Sequence, residues 1–363
     1  MLSLWNPNNA KLHKWYRKPL DGCKSSIGNP YSITLKKGNV NKLIVNFFCG
    51  GLSWNEETAA RPITVSSFIT KREAFYIDNI PNILLSSIHV GILNSKDTRN
   101  PFRDWYILNI PYSTGDFHIG NNDFTYHSKN GDEKVLYHHG DKNVKAALNV
   151  LPEFFPDTPE AMLIMGMSAG AFGCVAHSPA IRNIYPDCKN IVVYSEGSHI
   201  HTSLWHGIAK DILKVNKNLL SYINSDDLIY DLFRYAKDNM PSHTTFLHSN
   251  SIFDKELLSY MNKLNHGKLE VNTIALKEYF DTLINVVKRL KEEIPDYFYY
   301  LTDFGMKKDG TTPHIFVGTP KLFYDKMQDN TSISEWLIQT IGNNRKDVGT
   351  RFTVMLVDVE HFY

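Results

Sequence analysis

The chain has 363 residues, of which 39 are basic and 38 acidic, so its net charge at pH 7 is +1. This balance excludes a global field that attracts nucleic acid or anionic lipid, and we expect neither a nucleic acid nor a membrane as partner. No segment approaches the ~20 apolar residues of a membrane span, and no secretory signal is visible. Four widely spaced cysteines without a Cys-x-x-Cys pair favour a cytoplasmic over a secreted protein.

Apolar runs bounded by turn residues predict buried strands, and helical periodicity between them predicts crossover helices. This alternation predicts an α/β fold with a mostly parallel central sheet flanked by helices, in a single domain over residues 1–363. Amphipathic polar segments over residues 203–292 predict a helical lid or cap insertion within that domain. The predicted strands lie at residues 43–48, 105–110, 162–167, 191–194 and 352–357, and the crossover helices at 143–155 and 169–182.

Two adjacent glycines, Gly50 and Gly51, follow the first predicted strand and precede Trp54. A β-turn does not by itself require two adjacent glycines beside an aromatic residue. Backbone N–H groups in such a loop can bind an oxyanion that develops during acyl transfer. We therefore expect Gly50 and Gly51 to contribute to an oxyanion hole and Trp54 to bind substrate.

A segment rich in polar groups follows the second predicted strand, at residues 111–120. It contains Asp116 and His118, whose side chains can converge on a cleft, and we expect both to bind substrate. A metal site is the alternative, but acidic companions at helical ligand spacing are missing. Neither a metal nor another cofactor is therefore expected. Other histidines that suggest a metal site are His138, His139, His199, His201 and His206.

The sequence Gly166-Met167-Ser168-Ala169-Gly170 lies between a predicted strand and a predicted helix. Its Gly-x-Ser-x-Gly spacing is typical of a nucleophile elbow, where a strained serine tolerates only small residues two positions away. We therefore predict that Ser168 is a nucleophile and that its own N–H and that of Ala169 face the oxyanion. The alternative is an ordinary tight turn, in which glycine and serine are common.

A serine nucleophile needs a general base, and the base needs an acid that fixes its tautomer. His314, in a loop rich in turn residues, is the best candidate for the base. Asp254 follows the strand-like residues 244–247 and is the best candidate for the acid. It could instead only cap the helix that begins after it. Glu196, just past the fourth predicted strand, is the competing acid.

In their order along the chain, these motifs resemble those of the pectin acetylesterase family, from about Cys23 to a final helix around residues 334–338. The resemblance implies an α/β-hydrolase-like serine carboxylesterase with Ser168 as nucleophile, Asp254 as acid and His314 as base. It also implies that Gly50, Gly51 and Ala169 supply the oxyanion N–H groups. The matching segments are residues 23–54, with the oxyanion loop, residues 111–120, with an Asp-x-His-x-Gly motif, residues 166–173, with the nucleophile, and residues 312–314, with the base.

The chain departs from the family pattern at several positions. Ser53 and Ser113 stand where the family has cysteines, so the resemblance implies that the disulfides of secreted relatives are absent. Cys49 and Ala171 each replace a glycine of the family's motifs, and Ser195-Glu196-Gly197 stands where Asp-Ser-Gly is frequent. The changes at residue 171 and residues 195–197 bear on the substrate rather than on the chemistry.

The implied activity is removal of acetyl groups from acetylated poly- or oligosaccharide through an acyl-enzyme. One alternative is an esterase that acts on longer acyl chains. Another is a catalytically silent protein that binds a glycan or acylated ligand in the same cleft.

Overall fold

The structure is a computed structural model that describes residues 1–128 and 130–354. The strands are β1 (Ser3–Leu4), β2 (Trp15–Lys24), β3 (Pro30–Lys36), β4 (Lys42–Phe47), β5 (Pro62–Ile63), β6 (Tyr76–Ile77), β7 (Tyr106–Ile110), β8 (Asn122–His127), β9 (Glu133–His138), β10 (Ala161–Met167), β11 (Ile191–Glu196), β12 (Thr245–Ser251) and β13 (Tyr297–Thr302).

The α-helices are α1 (Glu56–Ala59), α2 (Val65–Thr70), α3 (Gly140–Leu148), α4 (Leu151–Phe154), α5 (Ala169–Ile184), α6 (Trp205–Gly207), α7 (Lys217–Leu220), α8 (Leu228–Asn239), α9 (Lys255–His266), α10 (Thr273–Glu293), α11 (Pro320–Tyr324), α12 (Ile333–Ile341) and α13 (Arg351–Val354). Short 3-10 helices lie at Pro7–Asn9 and Gly91–Leu93, and a π-helical turn lies at Ile208–Ile212.

Within the described residues, nine strands form the central sheet, in the order β1-β2-β3-β7-β4-β10-β11-β12-β13. Only β3 runs against the others, because β2 and β7 both pair with it in antiparallel register and the remaining neighbours are parallel. The carboxyl ends of β4, β10, β11, β12 and β13 therefore meet at one edge. Loops at that edge of an open parallel sheet commonly carry binding and catalytic groups.

The sheet is buried on both faces, because its strands alternate between two apolar layers. In β4, Leu43, Val45 and Phe47 pack into one layer, whereas Ile44 packs into the other. The first layer contains the apolar faces of α3, α5, α8, α9 and α10. The second contains those of α11 and α12. This arrangement confirms the predicted α/β class, with helices on both sides of a mostly parallel sheet.

Two predicted elements differ in the structure. The helix predicted over residues 143–155 is divided into α3 and α4, because Pro152 has no N–H to donate to the carbonyl of Leu148. The strand predicted over residues 352–357 is wrong for its first part, since Arg351–Val354 is a helical turn and Phe352 packs into the core. A short apolar run fits either element. Residues 355–357 lie outside the described residues.

The predicted lid, residues 203–292, contains several helices but also β12, which pairs with β11 and β13 inside the central sheet. The extent of the lid and the single-domain division remain predictions. In the described part of the chain, no helix combines the length and apolar character needed to cross a membrane. Cys23, Cys49, Cys174 and Cys188 are all free thiols.

Candidate active site

Ser168 occupies a strained turn between β10 and α5. Its backbone angles are φ 51° and ψ −123°, a conformation that residues other than glycine rarely adopt. The flanking glycines are required by close backbone contacts. A Cβ on Gly166 would lie 2.0 Å from the carbonyl oxygen of Gly170, and one on Gly170 would lie 2.1 Å from that of Phe47. These contacts give the Gly-x-Ser-x-Gly spacing its physical reason.

The N–H of Ser168 has a different partner from the one predicted. It donates to the main-chain carbonyl of Glu196 at 2.7 Å, across the β10–β11 pair, and so it does not face an oxyanion. The expectation for Ser168 is wrong because the turn continues the sheet ladder by one residue. Ala169 is the first residue of α5, and its N–H has no partner within the helix, as in any first helical turn.

The glycine loop follows β4 and lies beside the start of α5. Gly51 has φ +81°, and a Cβ there would lie 1.9 Å from the carbonyl oxygen of Phe75. A Cβ on Gly50 would lie 2.2 Å from the ring of Tyr112. Both positions therefore exclude side chains. No hydrogen bond within the described residues uses the N–H of Gly50 or Gly51.

Three contacts hold the carbonyl groups of this loop. Tyr112 Oη donates to the Gly51 carbonyl at 2.7 Å, the N–H of Ile77 donates to that of Gly50 at 2.8 Å, and His118 Nε2 donates to that of Phe48 at 3.0 Å. In a trans peptide the C=O and the following N–H point in opposite directions. The N–H groups of residues 49 and 51 therefore point away from His118 and Ile77.

Asp116 and His118 are buried beneath the glycine loop. Asp116 accepts hydrogen bonds from the Thr114 hydroxyl at 2.6 Å, the Gly140 N–H at 2.7 Å and the His118 N–H at 3.1 Å. Burial raises the pKa of Asp116 to about 6 and lowers that of His118 to about 3. Their polar atoms form hydrogen bonds within the protein. Both side chains therefore support the loops of the site, and neither is open to a substrate in this structure.

Trp54 contacts the rings of Phe75 and Tyr260, with centroids at 5.2 and 5.9 Å. It also borders a cleft of about 550 Å³, whose lining includes Leu204 and Ile208 from the predicted lid. Substrate binding by Trp54 remains a prediction.

Asp254 and His314 are brought together by two neighbouring loops. The His314 Nδ1–H donates to Asp254 Oδ2 at 2.7 Å, while Asp254 Oδ1 accepts the N–H groups of Glu256 and Leu257 at 3.1 Å each. Asp254 thus caps α9 with one oxygen and contacts the imidazole with the other. Main-chain hydrogen bonds that Thr312 makes on both sides of Asp254 hold the two loops in register.

The pKa of His314 results from opposing influences. Burial by itself lowers the pKa, but the charge and hydrogen bond of Asp254, with smaller contributions from Glu256 and Glu196, outweigh it. The pKa is therefore raised above its ordinary value of 6.5. The side chain is 18% exposed, and its Nδ1 is occupied by Asp254.

Glu196, the competing acid, has other partners. Its Oε1 accepts the N–H of Phe316 at 3.0 Å, and both oxygens lie 3.2 Å from the N–H of Val317. The next residue, Gly197, has φ +60°, and a Cβ there would lie 3.3 Å from His314 Cε1. The end of β11 therefore packs against the base loop, whereas the imidazole hydrogen bond is made by Asp254.

The sequence-based reasoning missed two residues that shape this site. Tyr112, which bridges the Gly51 carbonyl and the N–H of Phe117, lies within the polar segment 111–120, but no role was predicted for it. Gly197, next to His314, was visible only as a glycine after a strand. The sequence showed only that each of these residues follows a predicted strand. Their roles could not be predicted because the groups they contact are distant in sequence.

The histidines that suggest a metal site are held separately. His138 contacts the Thr114 carbonyl, His199 the Thr282 hydroxyl, and His206 the Ile223 carbonyl, while His201 pairs with Asp227. Within residues 1–128 and 130–354, no group of three or more histidines, cysteines or acidic residues is placed to hold a metal ion.

The sheet order and the strained turn at the end of β10 define an α/β-hydrolase-like protein. The model of the pectinacetylesterase family matches residues 85–220, which confirms the family resemblance seen in the motifs. The match includes Ser168 and Glu196 but ends before Asp254 and His314, and it covers less than half of the chain. At the level of that family it supports an esterase that removes acetyl groups. No curated protein matches the chain.

Proposed function

We propose that the protein is a serine carboxylic-ester hydrolase that removes acetyl groups from acetylated poly- or oligosaccharide. The observation that carries the proposal is the 2.7 Å hydrogen bond between His314 and the buried Asp254, at the sheet edge where the strained Ser168 also lies. An imidazole with Nδ1 held by a carboxylate presents Nε2 as a base, which is what a serine nucleophile requires.

In the proposed mechanism, Ser168 Oγ forms a bond to the ester carbonyl carbon while its proton passes to His314 Nε2. The negative charge that develops on the carbonyl oxygen is stabilised by hydrogen bonds from N–H groups of the glycine loop and of Ala169. The bond to the sugar oxygen then breaks, and His314 returns the proton to the leaving alcohol. Water attacks the acetyl-enzyme by the same steps, releases acetate and regenerates Ser168.

The substrate part of the proposal is supported by the family match and by the cleft beside Trp54. Its volume of about 550 Å³ lies within the range of small-molecule sites, so it can admit a sugar, although neither Ser168 nor His314 lines it. An aromatic side chain at the border of such a cleft provides a face for a sugar ring.

The test is hydrolysis of 4-nitrophenyl acetate, butyrate and octanoate and of acetylated oligosaccharides, by the wild type, Ser168→Ala and Ser178→Ala. Ser178 is a buried serine within α5, the helix that follows Ser168, and serves as the matched control. We expect acetate to be preferred, EDTA to have no effect, and only Ser168→Ala to lose activity and fluorophosphonate labelling. Equal activity in wild type and Ser168→Ala would refute the nucleophile.

A further inference from the structure

We propose that Glu196 is a positioning residue of this active site, which ties the nucleophile turn to the base loop and stabilises the protonated imidazole of His314. The inference rests on the proposed function, in which Ser168 and His314 react. The main-chain carbonyl of Glu196 accepts the N–H of Ser168, and its carboxylate accepts the N–H groups of Phe316 and Val317. One residue therefore contacts both halves of the site.

The Glu196 side chain is fully buried, and its oxygens are nevertheless well supplied with donors. Besides the N–H groups of Phe316 and Val317, Oε1 accepts the hydroxyl of Tyr194 at 3.1 Å, and that hydroxyl lies 2.7 Å from Ser249 Oγ. A buried carboxylate is tolerated only when such donors replace its water. An apolar side chain here would leave two buried N–H groups unpaired, at a cost typical of lost hydrogen bonds.

The geometry shows that Glu196 is not the carboxylate that contacts the imidazole of His314. Asp254 occupies the Nδ1 side of the imidazole, whereas Glu196 bonds to the main chain two and three residues beyond His314. It therefore fixes the course of the backbone that carries the ring. Its negative charge reaches the imidazole through space rather than through a shared proton.

The ionisable groups that face the Glu196 carboxyl are Tyr194 on its own strand, Cys49 in the glycine loop and His314 in the base loop. Burial raises the pKa of Glu196 to about 7, against the opposing effect of its N–H donors, Tyr194 and His314. Burial also raises the pKa of the Cys49 thiol to about 12, so that thiol is neutral. The carboxylate and the imidazolium stabilise each other's charged form.

The test compares Glu196→Gln with the matched control Glu256→Gln. The glutamine side chain in Glu196→Gln keeps the shape and one oxygen acceptor but loses the charge. Glu256 also acts on the pKa of His314, yet it is exposed on the first turn of α9, where solvent screens it. The readout is an NMR titration of ¹³C-labelled histidine, in which the His314 signal is assigned by its loss in His314→Gln.

We expect the His314 titration midpoint to move to lower pH in Glu196→Gln, because a negative charge that favours the imidazolium is removed. The shift should be smaller in Glu256→Gln. In the wild type, the amide signals of Phe316 and Val317 should change as Glu196 ionises, a measurement that needs no variant. An identical His314 midpoint in wild type and Glu196→Gln would overturn the proposal.

Kinetics supply the second readout. In Glu196→Gln, kcat for 4-nitrophenyl acetate should fall about tenfold with little change in KM, since the amide group faces a backbone donor and displaces the base loop. Thermal unfolding checks that the variant is folded. If the wild type hydrolyses no ester, the proposed function fails, but the NMR titration still decides the role of Glu196.

Discussion

Replacing Asp254 by asparagine separates its contact with His314 from its role as a helix cap. Two N–H groups, those of Glu256 and Leu257, converge on Oδ1 at 3.1 Å. They hold an acceptor there, so the amide oxygen of the introduced asparagine takes that place and its NH2 group faces His314. The imidazole then accepts at Nδ1 and carries its proton on Nε2, the tautomer that cannot take a proton from Ser168.

The expected losses of activity and stability follow from the contacts of Asp254 with His314 and with the start of α9. Hydrogen bonds to charged groups contribute about 1.5–3 kcal/mol, and the wrong tautomer adds to that loss, so kcat/KM should fall about 10³- to 10⁴-fold. Asparagine caps a helix about as well as aspartate, so the stability should hardly change. In Asp254→Ala the cap is lost as well, at a cost of about 1 kcal/mol and about 2 °C in Tm.

The assay is hydrolysis of 4-nitrophenyl acetate beside thermal unfolding monitored by circular dichroism. The expected pattern is an inactive Asp254→Asn with the wild-type Tm, and an inactive Asp254→Ala with a lowered Tm. Asp254→Asn that retains activity within about tenfold of the wild type would refute the reasoning, because Asp254 would then act only as a cap.

Three further predictions follow from the same geometry. The acid limb of the kcat/KM profile should have its midpoint above pH 6.5, because the neutral imidazole is the base and the pKa of His314 is raised; a midpoint below pH 6 would contradict this. Gly51→Ala should destabilise the fold by about 2–3 kcal/mol in urea unfolding, and Gly267→Ala by about 1, since both have positive φ but only Gly51 lacks space for a Cβ. Tyr112→Phe should lower kcat about tenfold while Tyr185→Phe, remote from the loop, leaves it unchanged; equal kcat values would show that the hydroxyl does not position the loop.

Local patterns in the sequence were enough to predict the strands that form the centre of the sheet and the turn at Ser168. Both depend on neighbours within a few residues, namely an apolar run long enough for a buried strand and glycines two positions from the serine. The two adjacent glycines at residues 50 and 51 were noticed in the same way, but the contacts that exclude a side chain there, with the Tyr112 ring and the Phe75 carbonyl, come from residues distant in sequence. Where the pattern was ambiguous, as in the apolar run from residue 352, the prediction was wrong.

The partners of each polar side chain depend on the tertiary structure. Asp254 fits both a cap and an acid in sequence, and the structure shows it contacting α9 and His314 at once, although the histidine lies 60 residues away. Nothing local indicates that His118 supports a carbonyl 70 residues earlier, or that Glu196 contacts an N–H 120 residues later. These contacts exist because parallel strands bring their carboxyl ends to one edge of the sheet, so sequence determines which groups are present and topology determines which of them meet.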